Sequence, residues 1–305
     1  MMINTRALVL ICMSIISVGL LSCDNTPSKD SVGILTGRAN VLVDETIAPL
    51  IEDQISVFES SYTNAELTMV PKPENEVINT LLKDSAQLAI MTRELSEKEL
   101  NFFKTKTIYP RTVRFATDAI AVITHKDNKD STILVEDIIK IMQGKSVEGI
   151  QSLVFDNANS STVAYFRKLA QVDKLPEKGV YALKSNADIL KYVNENPQSV
   201  GVVGISWIVG PSANLLGYVK NIKTLGVKNQ QGKPGDDGFY KPTQSNLALN
   251  LYPFTRVLYC INVQGKDAIG IGFSAFLYGE RGQRLILKSG LLPDSIPSRE
   301  IIIRK

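Results

Sequence analysis

The chain has 305 residues, of which 44% are hydrophobic and 21% are charged, and its formal net charge is +3. This composition is typical of a globular protein with one large or two medium-sized domains. The charge is spread along the chain without a basic block, which excludes a nucleic-acid-binding protein of the usual basic type.

The first residues predict an export signal. An uncharged apolar run from Ala7 to Leu21 follows a basic residue, as in the core of a signal peptide. The Leu-Leu-Ser-Cys sequence that ends at Cys23 resembles the bacterial lipoprotein cleavage box, so we expect Cys23 to carry the lipid and begin the mature chain. We therefore place a lipoprotein signal peptide at residues 1–22 and a lipid-anchor tether at residues 23–31.

Two alternatives to lipidation remain open, namely a cleaved soluble secretory protein and an uncleaved membrane anchor. The apolar run is short for a bilayer-spanning helix of about 20 residues. Cleavage before Cys23 leaves Cys260 as the only internal cysteine. We therefore predict no intramolecular disulfide, even in an oxidising compartment.

Apolar patterning predicts that strands and helices alternate in the first half of the mature chain. The strands are predicted at Ala39–Val43, Leu67–Val70, Leu88–Met91 and Ala119–Ile123, with Pro71 closing the second. The helices are predicted around residues 47–58 and 77–82, and after a capping box at Ser96–Glu99. Leu88–Met91 is continuously apolar, as in strands buried on both faces of a parallel sheet.

The same alternation continues in the second half. Helices are predicted from Glu136 to Gly144, from Ser185 to Asn196 and in the region of residues 269–286. Apolar strands are predicted at Val200–Ile205 and Arg256–Val263, and the longest loop at Asn229–Asn246. The glycines of Val200–Ile205 indicate close approach of another backbone, without matching a nucleotide-binding motif.

The stretch from Val154 to Thr162 is the first candidate for a ligand site. An apolar pair ends a predicted strand, a loop of small polar residues follows, and an apolar-periodic helix then begins. The first turn of such a helix offers free backbone N–H groups and the positive end of the helix dipole, which suits phosphate-like ligands. The alternative is that Asn159 or Ser160 only caps the helix.

Two other strand ends carry polar side chains. The segment Asp44–Thr46 joins the first predicted strand to its helix, where it either caps the helix or lines a ligand cleft. Arg93 follows the strand Leu88–Met91, at the edge where open α/β sheets bind their ligands. The alternative for Arg93 is a solvated ion pair with Glu94 or Glu97.

The sequence lacks the residues that most catalytic and metal-binding sites require. His125 is the only histidine, and there is no CxxC pair, so a histidine cluster or zinc site cannot be built. There is no G-x-S-x-G elbow, Walker loop or dinucleotide motif in the required context. An exported α/β protein without these groups is best explained as a binding module rather than an enzyme.

Several segments resemble bacterial phosphate ABC-transporter substrate-binding proteins. The run Leu88–Glu99 resembles their D-I-A-x-S-S-R-x-L-x-x-x-E segment, and Asp118–Ile123 resembles their crossover strand. Leu134–Lys145 resembles their L-T-x-E-D-L-x-x-I-F-x-G-K helix. Val154–Thr162 falls at their R-x-x-x-S-G-T anion loop, and Val200–Gly204 falls on their I-G-Y strand, so order and spacing match over nearly the whole mature chain.

The resemblance implies an α/β, type 2 periplasmic-binding-protein fold, with two α/β lobes joined by two crossover strands. On this basis we place lobe one at residues 32–115 plus 257–305 and lobe two at residues 116–256. The implied function is capture of inorganic phosphate or a related oxyanion for ABC permease subunits, by hinge closure and without catalysis. We expect a monomer that needs no cofactor and no metal, tethered through Cys23 outside the cytoplasm of a bacterium.

The family's anion contacts carry over in part. Ser160 and Thr162 match the Ser and Thr of the loop, Ser161 replaces its Gly, and Thr92 and Arg93 match the Ser-Arg pair. The predicted ligand-binding residues are Thr46, Thr92, Arg93, Ser160, Ser161 and Thr162.

One departure concerns charge. Asp156 stands at the position of the loop's arginine, and an ionised carboxylate there would repel a phosphate dianion in a dehydrated cleft. Arg93 or Arg256, the latter near the second crossover, is expected to supply the missing cation. We therefore add Asp44, Asp156 and Arg256 as further candidate ligand residues.

A second hypothesis keeps the fold but changes the ligand. The carboxyl groups of Asp44, Glu45, Glu74 and Asp156 suit a ligand with donor groups better than a dianion. The protein would then be an envelope interaction or sensory subunit that binds a non-phosphate ligand or none.

Overall fold

A computed structural model describes residues 33–83, 86–265 and 268–295. The predicted signal peptide, Cys23 and the tether lie outside these residues. In the part of the chain that is described, no helix combines the length and apolar character needed to cross a membrane.

The first part of the chain forms three parallel strands with helices between them. The elements are β1 (Gly37–Asp44), a 3-10 turn (Glu45–Ile47), α1 (Ala48–Ser61), β2 (Ala65–Lys72), α2 (Glu74–Leu82), β3 (Leu88–Met91) and α3 (Glu97–Thr105). The predicted capping box forms at the start of α3, between Ser96 and Glu99. Pro71 does not close β2 as predicted, because β2 is an edge strand in which a proline can be accommodated.

The middle of the chain opens with a strand much longer than predicted. Its elements are β4 (Arg111–His125), β5 (Thr132–Leu134), α4 (Val135–Met142), β6 (Ser152–Phe155), α5 (Ser161–Ala170), β7 (Val180–Ala182), α6 (Asn186–Glu195) and β8 (Ser199–Gly204). The predicted strand Ala119–Ile123 lies in the buried second half of β4, and the strand begins with four exposed or half-buried residues that gave no continuous apolar run.

The last part of the chain returns to the first sheet. Its elements are α7 (Ser206–Val209), α8 (Leu216–Val219), β9 (Ile222–Thr224), β10 (Gly226–Lys228), α9 (Gln244–Ala248), β11 (Thr255–Asn262), α10 (Ile269–Tyr278), α11 (Glu280–Lys288) and β12 (Leu292–Pro293). The predicted loop over residues 229–246 is shortened by α9, which begins at Gln244 with Thr243 as its cap.

Strands β4 and β11 connect the two halves of the sheet. The strand order is β2-β1-β3-β11-β4-β8-β6-β7, and β9 and β12 also pair with β4. Strand β4 pairs with β11 as far as Ala119 and with β8 from Ile120, both antiparallel. This arrangement confirms the predicted fold of two α/β lobes joined by two crossover strands; the residue limits given for the lobes stay predictions.

The cores explain the apolar sequence runs. Strands β3, β6 and β8 are buried along their whole length, as expected of strands that are covered on both faces. A Cβ added at Gly201 of β8 would lie 2.6 Å from the side chain of Ile189 in α6, so this glycine permits close side-chain packing. The close backbone approach that the sequence indicated occurs at Gly204, where an added Cβ would lie 2.6 Å from the Thr46 carbonyl oxygen. Cys260 of β11 is buried with a free thiol, and burial raises its pKa to about 12.

Candidate functional site

A buried ion pair joins the two crossover strands. Arg256 of β11 and Asp118 of β4 are directly opposite in the antiparallel register. The Arg256 Nε donates a hydrogen bond to Asp118 Oδ2 over 2.8 Å, and the two residues are only 7% and 0% exposed. The pair holds the permanently charged guanidinium of Arg256 where the strands pass between the lobes.

Two hydroxyl groups of lobe two accept hydrogen bonds from this arginine, and one of them contacts a hydroxyl of lobe one. Its Nη1 donates to Ser161 Oγ at 2.8 Å and to Thr162 Oγ1 at 3.4 Å, in the first turn of α5. Thr46 Oγ1, which follows β1, lies 3.2 Å from Ser161 Oγ. The lobes are therefore in contact through the side chains that would hold an anion.

Asp44 fixes Thr46 in place. One carboxylate oxygen, Oδ1, accepts hydrogen bonds from the Thr46 hydroxyl at 2.8 Å and from the Thr46 backbone N–H at 3.0 Å. Asp44 thus caps the 3-10 turn, as one of the two sequence interpretations proposed. Together, the residues described so far form the Arg256 cluster, which consists of Asp44, Thr46, Asp118, Ser161, Thr162 and Arg256.

Several polar atoms of the Arg256 cluster are buried and have no hydrogen-bond partner among the described residues. They are Arg256 Nη2, Asp44 Oδ2 and Asp118 Oδ1. An unpaired buried polar atom costs about 1–3 kcal/mol, more if charged, so such groups usually serve a ligand or bound water. The cluster therefore offers a ligand one charged donor, Arg256 Nη2, and two carboxylate acceptors, Asp44 Oδ2 and Asp118 Oδ1.

Asp156 and Ser160 are joined by a buried hydrogen bond. Asp156 Oδ1 accepts from Ser160 Oγ at 2.6 Å, and Oδ2 accepts from Asn186 Nδ2 at 3.1 Å. Ser160 also caps α5 by accepting from the Val163 N–H at 3.2 Å. The carboxylate at the family's arginine position therefore braces the loop, and Ser160 has the capping role that the sequence left open.

The structure does not bring Arg93 and Thr92 into the Arg256 cluster. Arg93 Nε donates to Glu74 at 3.1 Å, and its two terminal nitrogens donate to Glu99 at 2.9 Å each. The Thr92 hydroxyl donates to Glu74 at 2.7 Å. These four residues form the Arg93 cluster, in which the donors predicted for an anion are occupied by carboxylates.

Ion pairing with Glu99 was not expected from the sequence, which offered Glu94 or Glu97 as partners. Burial alone would raise the pKa of Glu99, but hydrogen bonds from Arg93 and Ser96 lower it below its usual value. Glu99 also belongs to the capping box of α3, so Arg93 is held by a helix start rather than left free.

The arginine keeps its charge in spite of burial. Burial lowers the pKa of Arg256, but the carboxylates of Asp118 and Asp44 more than offset this, so the pKa lies above its usual value. Burial raises the pKa of Asp118 despite the adjacent Arg256, and it also raises the pKa of Asp156.

The pKa values of two glutamates beside the site are also raised. The pKa of Glu45 is raised to about 7 by burial and by the charges of Asp156, Asp44 and Glu76. The pKa of Glu74 is raised by burial and by Asp44. The carboxyl groups noted in the sequence therefore raise one another's pKa values across the site.

Asp118 was missed as a site residue, although the sequence held a signal for it. An aspartate that precedes an apolar strand run requires a partner if the strand is buried, and Arg256 is 138 positions away. No signal indicated Trp207, whose indole nitrogen donates to the Thr46 carbonyl at 3.0 Å. Over the described ranges, no group of three or more His, Cys, Asp or Glu residues is arranged to hold a metal ion.

A family model described as "PBP superfamily domain" matches residues 31–281. The chain belongs to the PBP superfamily. This PBP-superfamily protein is 24% identical over 306 residues to "Phosphate-binding protein PstS" of Borreliella burgdorferi, with 93% of this chain and 98% of the relative covered. The resemblance stated from the sequence motifs is thereby confirmed.

Solved structures of the superfamily share the fold. One is assigned to a phosphate ABC transporter substrate-binding protein of Clostridium perfringens with bound phosphate; the TM-score is 0.69 at 17% identity, covering 85% of this chain and 100% of that one. Another is an ABC-type phosphate transport receptor from Vibrio cholerae, with a TM-score of 0.62 at 19% identity, covering 84% of this chain and 100% of that one. At these identities the likeness establishes the fold alone.

Proposed function

We propose that this protein binds inorganic phosphate or a related oxyanion between its lobes and delivers it to the permease subunits of an ABC importer. One observation carries the proposal, namely the buried Nη2 of Arg256, which has no partner among the described residues and lies beside hydroxyls of both lobes. The names of the relatives, which are phosphate-binding and phosphate-transport proteins, support the same ligand.

The expected contacts follow from donor chemistry. Arg256 would supply charge-assisted hydrogen bonds, and the hydroxyls of Ser161 and Thr162 would donate to the remaining oxygens. The Thr46 hydroxyl donates to Asp44 and would reach a ligand oxygen only by giving up that bond. Ser161 and Thr162 lie in the first turn of the ten-residue helix α5, where the helix dipole adds positive potential. Arg256 thus takes the part that the resemblance assigns to a loop arginine.

A protonated oxyanion suits the acceptors as well. Asp44 Oδ2 and Asp118 Oδ1 are buried without partners in the described structure, and each can accept a hydrogen bond from a P–OH group. A fully deprotonated anion would instead face repulsion from these carboxylates. We therefore expect phosphate to bind more tightly than sulfate, which carries no proton at neutral pH.

The cellular setting is part of the proposal. We infer that the chain is a monomeric lipoprotein, anchored through Cys23 to the extracytoplasmic side of a bacterial membrane. In cell fractionation, Cys23→Ala should move the protein from the membrane fraction to the soluble fraction. Retention of Cys23→Ala on membranes would contradict anchoring through this residue.

A second candidate function is a binding or sensory subunit for a ligand with donor groups. The observation that favours it is the set of three buried carboxylate oxygens without partners among the described residues: Asp44 Oδ2, Glu45 Oε1 and Asp118 Oδ1. A cationic or neutral polar ligand would satisfy these acceptors without a proton of its own. Such a ligand would leave Arg256 Nη2 to a separate acceptor group.

Isothermal titration calorimetry on the chain without its predicted signal peptide separates the candidates. Phosphate, sulfate and a panel of neutral and cationic small molecules are titrated at pH 7. Heat with phosphate, absent or much weaker with sulfate, is the expected result. No heat and no thermal stabilisation at millimolar phosphate would contradict the proposal, and heat with a panel member alone would favour the second candidate.

A further inference from the structure

The end of β8 and the residues after it, in lobe two, lie against the Thr46 carbonyl group of lobe one. Trp207, in the short helix α7, donates its indole N–H to the Thr46 carbonyl oxygen at 3.0 Å. The indole is half-buried, and Thr46 itself is fully buried. This contact spans the lobes, because Thr46 follows β1 whereas Trp207 follows β8.

Gly204 shapes the same contact. A Cβ built on Gly204, the last residue of β8, would lie 2.6 Å from the Thr46 carbonyl oxygen and 3.5 Å from Arg256 Nη2. Real Cβ atoms do not approach a backbone oxygen so closely, so any larger residue would force Thr46 away. Gly204 is also held in the sheet by pairing with Ile120 of β4.

We propose that Gly204 and Trp207 form an interlobe latch, which holds the Thr46 carbonyl only when the lobes are closed and so strengthens ligand binding. Gly204 supplies the space and Trp207 supplies the hydrogen bond. The same Thr46 presents its hydroxyl to Ser161, so the latch also positions a predicted ligand group. Trp207 is a positioning residue in this scheme, and the inference rests on the proposed phosphate function.

Two variants test the latch by calorimetry with inorganic phosphate. Trp207→Phe keeps the ring but removes the donor, and it should weaken phosphate binding by about threefold to tenfold, the usual net worth of one hydrogen bond. Gly204→Ala should weaken it by about tenfold or more, because closure meets a steric conflict. Asn194→Ala is the matched control, since its 2.8 Å bond to the Tyr218 carbonyl stays within lobe two and its loss should leave affinity unchanged.

Quenching of tryptophan emission separates the latch from a merely structural role of Trp207, which would not make the exposure of the indole depend on phosphate. Trp207 is the only tryptophan in the chain, so emission reports on this contact alone. Phosphate should protect Trp207 from acrylamide quenching in the wild type, and this protection should be smaller in Gly204→Ala, whose lobes cannot close fully. Equal affinities in the wild type and both variants, or equal protection of Trp207 by phosphate in the wild type and Gly204→Ala, would overturn the latch.

The two proposals fail in different ways. Wild-type protein that gives no heat with phosphate overturns the proposed function, on which the latch rests. Wild-type binding with unchanged Trp207→Phe and Gly204→Ala affinities overturns only the latch. Circular dichroism and thermal melts establish that each variant is folded before it is compared.

Discussion

At the scale of single residues, the site depends on one buried arginine. Arg256 donates from Nε to Asp118 and from Nη1 to two hydroxyls, which leaves Nη2 as the donor for a ligand. Arg93, by contrast, donates all its described hydrogen bonds to glutamates and to the Glu94 carbonyl. The two arginines are therefore expected to respond differently to the same substitution.

Arg256→Lys should weaken phosphate binding by about 10- to 100-fold, because an ammonium cannot hold Asp118 and a ligand in one rigid fork. Arg93→Lys is the matched control and should change affinity by less than about threefold, a loss typical of a pair outside the ligand shell. Calorimetry measures both, and thermal melts check that both fold. Equal losses in the two variants would restore Arg93 to the ligand site.

Glu45 should give the stability a pH dependence. Its pKa rises from 4.5 in the unfolded chain to about 7 in the folded one, so the folded state binds the proton more tightly. This stabilisation is complete below pH 4.5 and is lost as the pH rises through about 7. Urea unfolding of Glu45→Gln across this range should show a flatter profile than the wild type. Parallel profiles would mean that Glu45 does not titrate in this window.

At the scale of elements, the start of α5 organises the lobe-two half of the site. Ser160 caps the helix, Asp156 holds Ser160, and the next two residues reach Arg256. The sequence predicted this strand, loop and helix because small polar residues separate two apolar runs. It could not show that the loop aspartate turns inward to Asn186, since that contact joins residues 30 positions apart.

Ser160→Ala should lower the free energy of unfolding by about 1–2 kcal/mol, because it removes a helix cap and a partner of the buried Asp156. It should also weaken phosphate binding, since Ser161 and Thr162 depend on the position of the first turn. Ser96→Ala, which removes the cap of α3, is the control: stability should fall and phosphate affinity should not. Urea titrations and calorimetry measure the two effects. A loss of affinity in Ser96→Ala equal to that in Ser160→Ala would contradict a local role for α5.

At the scale of the whole molecule, much of the fold could be predicted because each strand and helix is encoded by nearby residues. The apolar run Leu88–Met91 and the capping box of α3 are examples of such local signals. The pairing of β4 with β11 was less visible, because the first half of β4 is only partly apolar and its partner lies far along the chain. The Asp118–Arg256 pair and the Trp207 contact have the same long-range origin.

Phosphate should stabilise the whole molecule against unfolding, because the proposed ligand contacts come from both lobes. At a free phosphate concentration of 100 times Kd, the free energy of unfolding should rise by about 2.7 kcal/mol. Urea titration with and without phosphate measures this, and Arg256→Lys should show a smaller rise at the same concentration. An unchanged unfolding curve for the wild type would contradict binding to the folded state.

The place of the Arg256–Asp118 pair on the crossover strands has a consequence for the order of events during capture. We expect the lobes to rotate about these two strands on closure. Residues near a pivot move little, so the guanidinium would already be in position while the lobes are apart. An incoming anion would meet this charge first, and the hydroxyls of Thr46 and Ser161 would converge on it afterwards. Because Arg256 is buried and paired with Asp118, added salt should change the association rate little, whereas the dissociation rate should follow how firmly the lobes hold together.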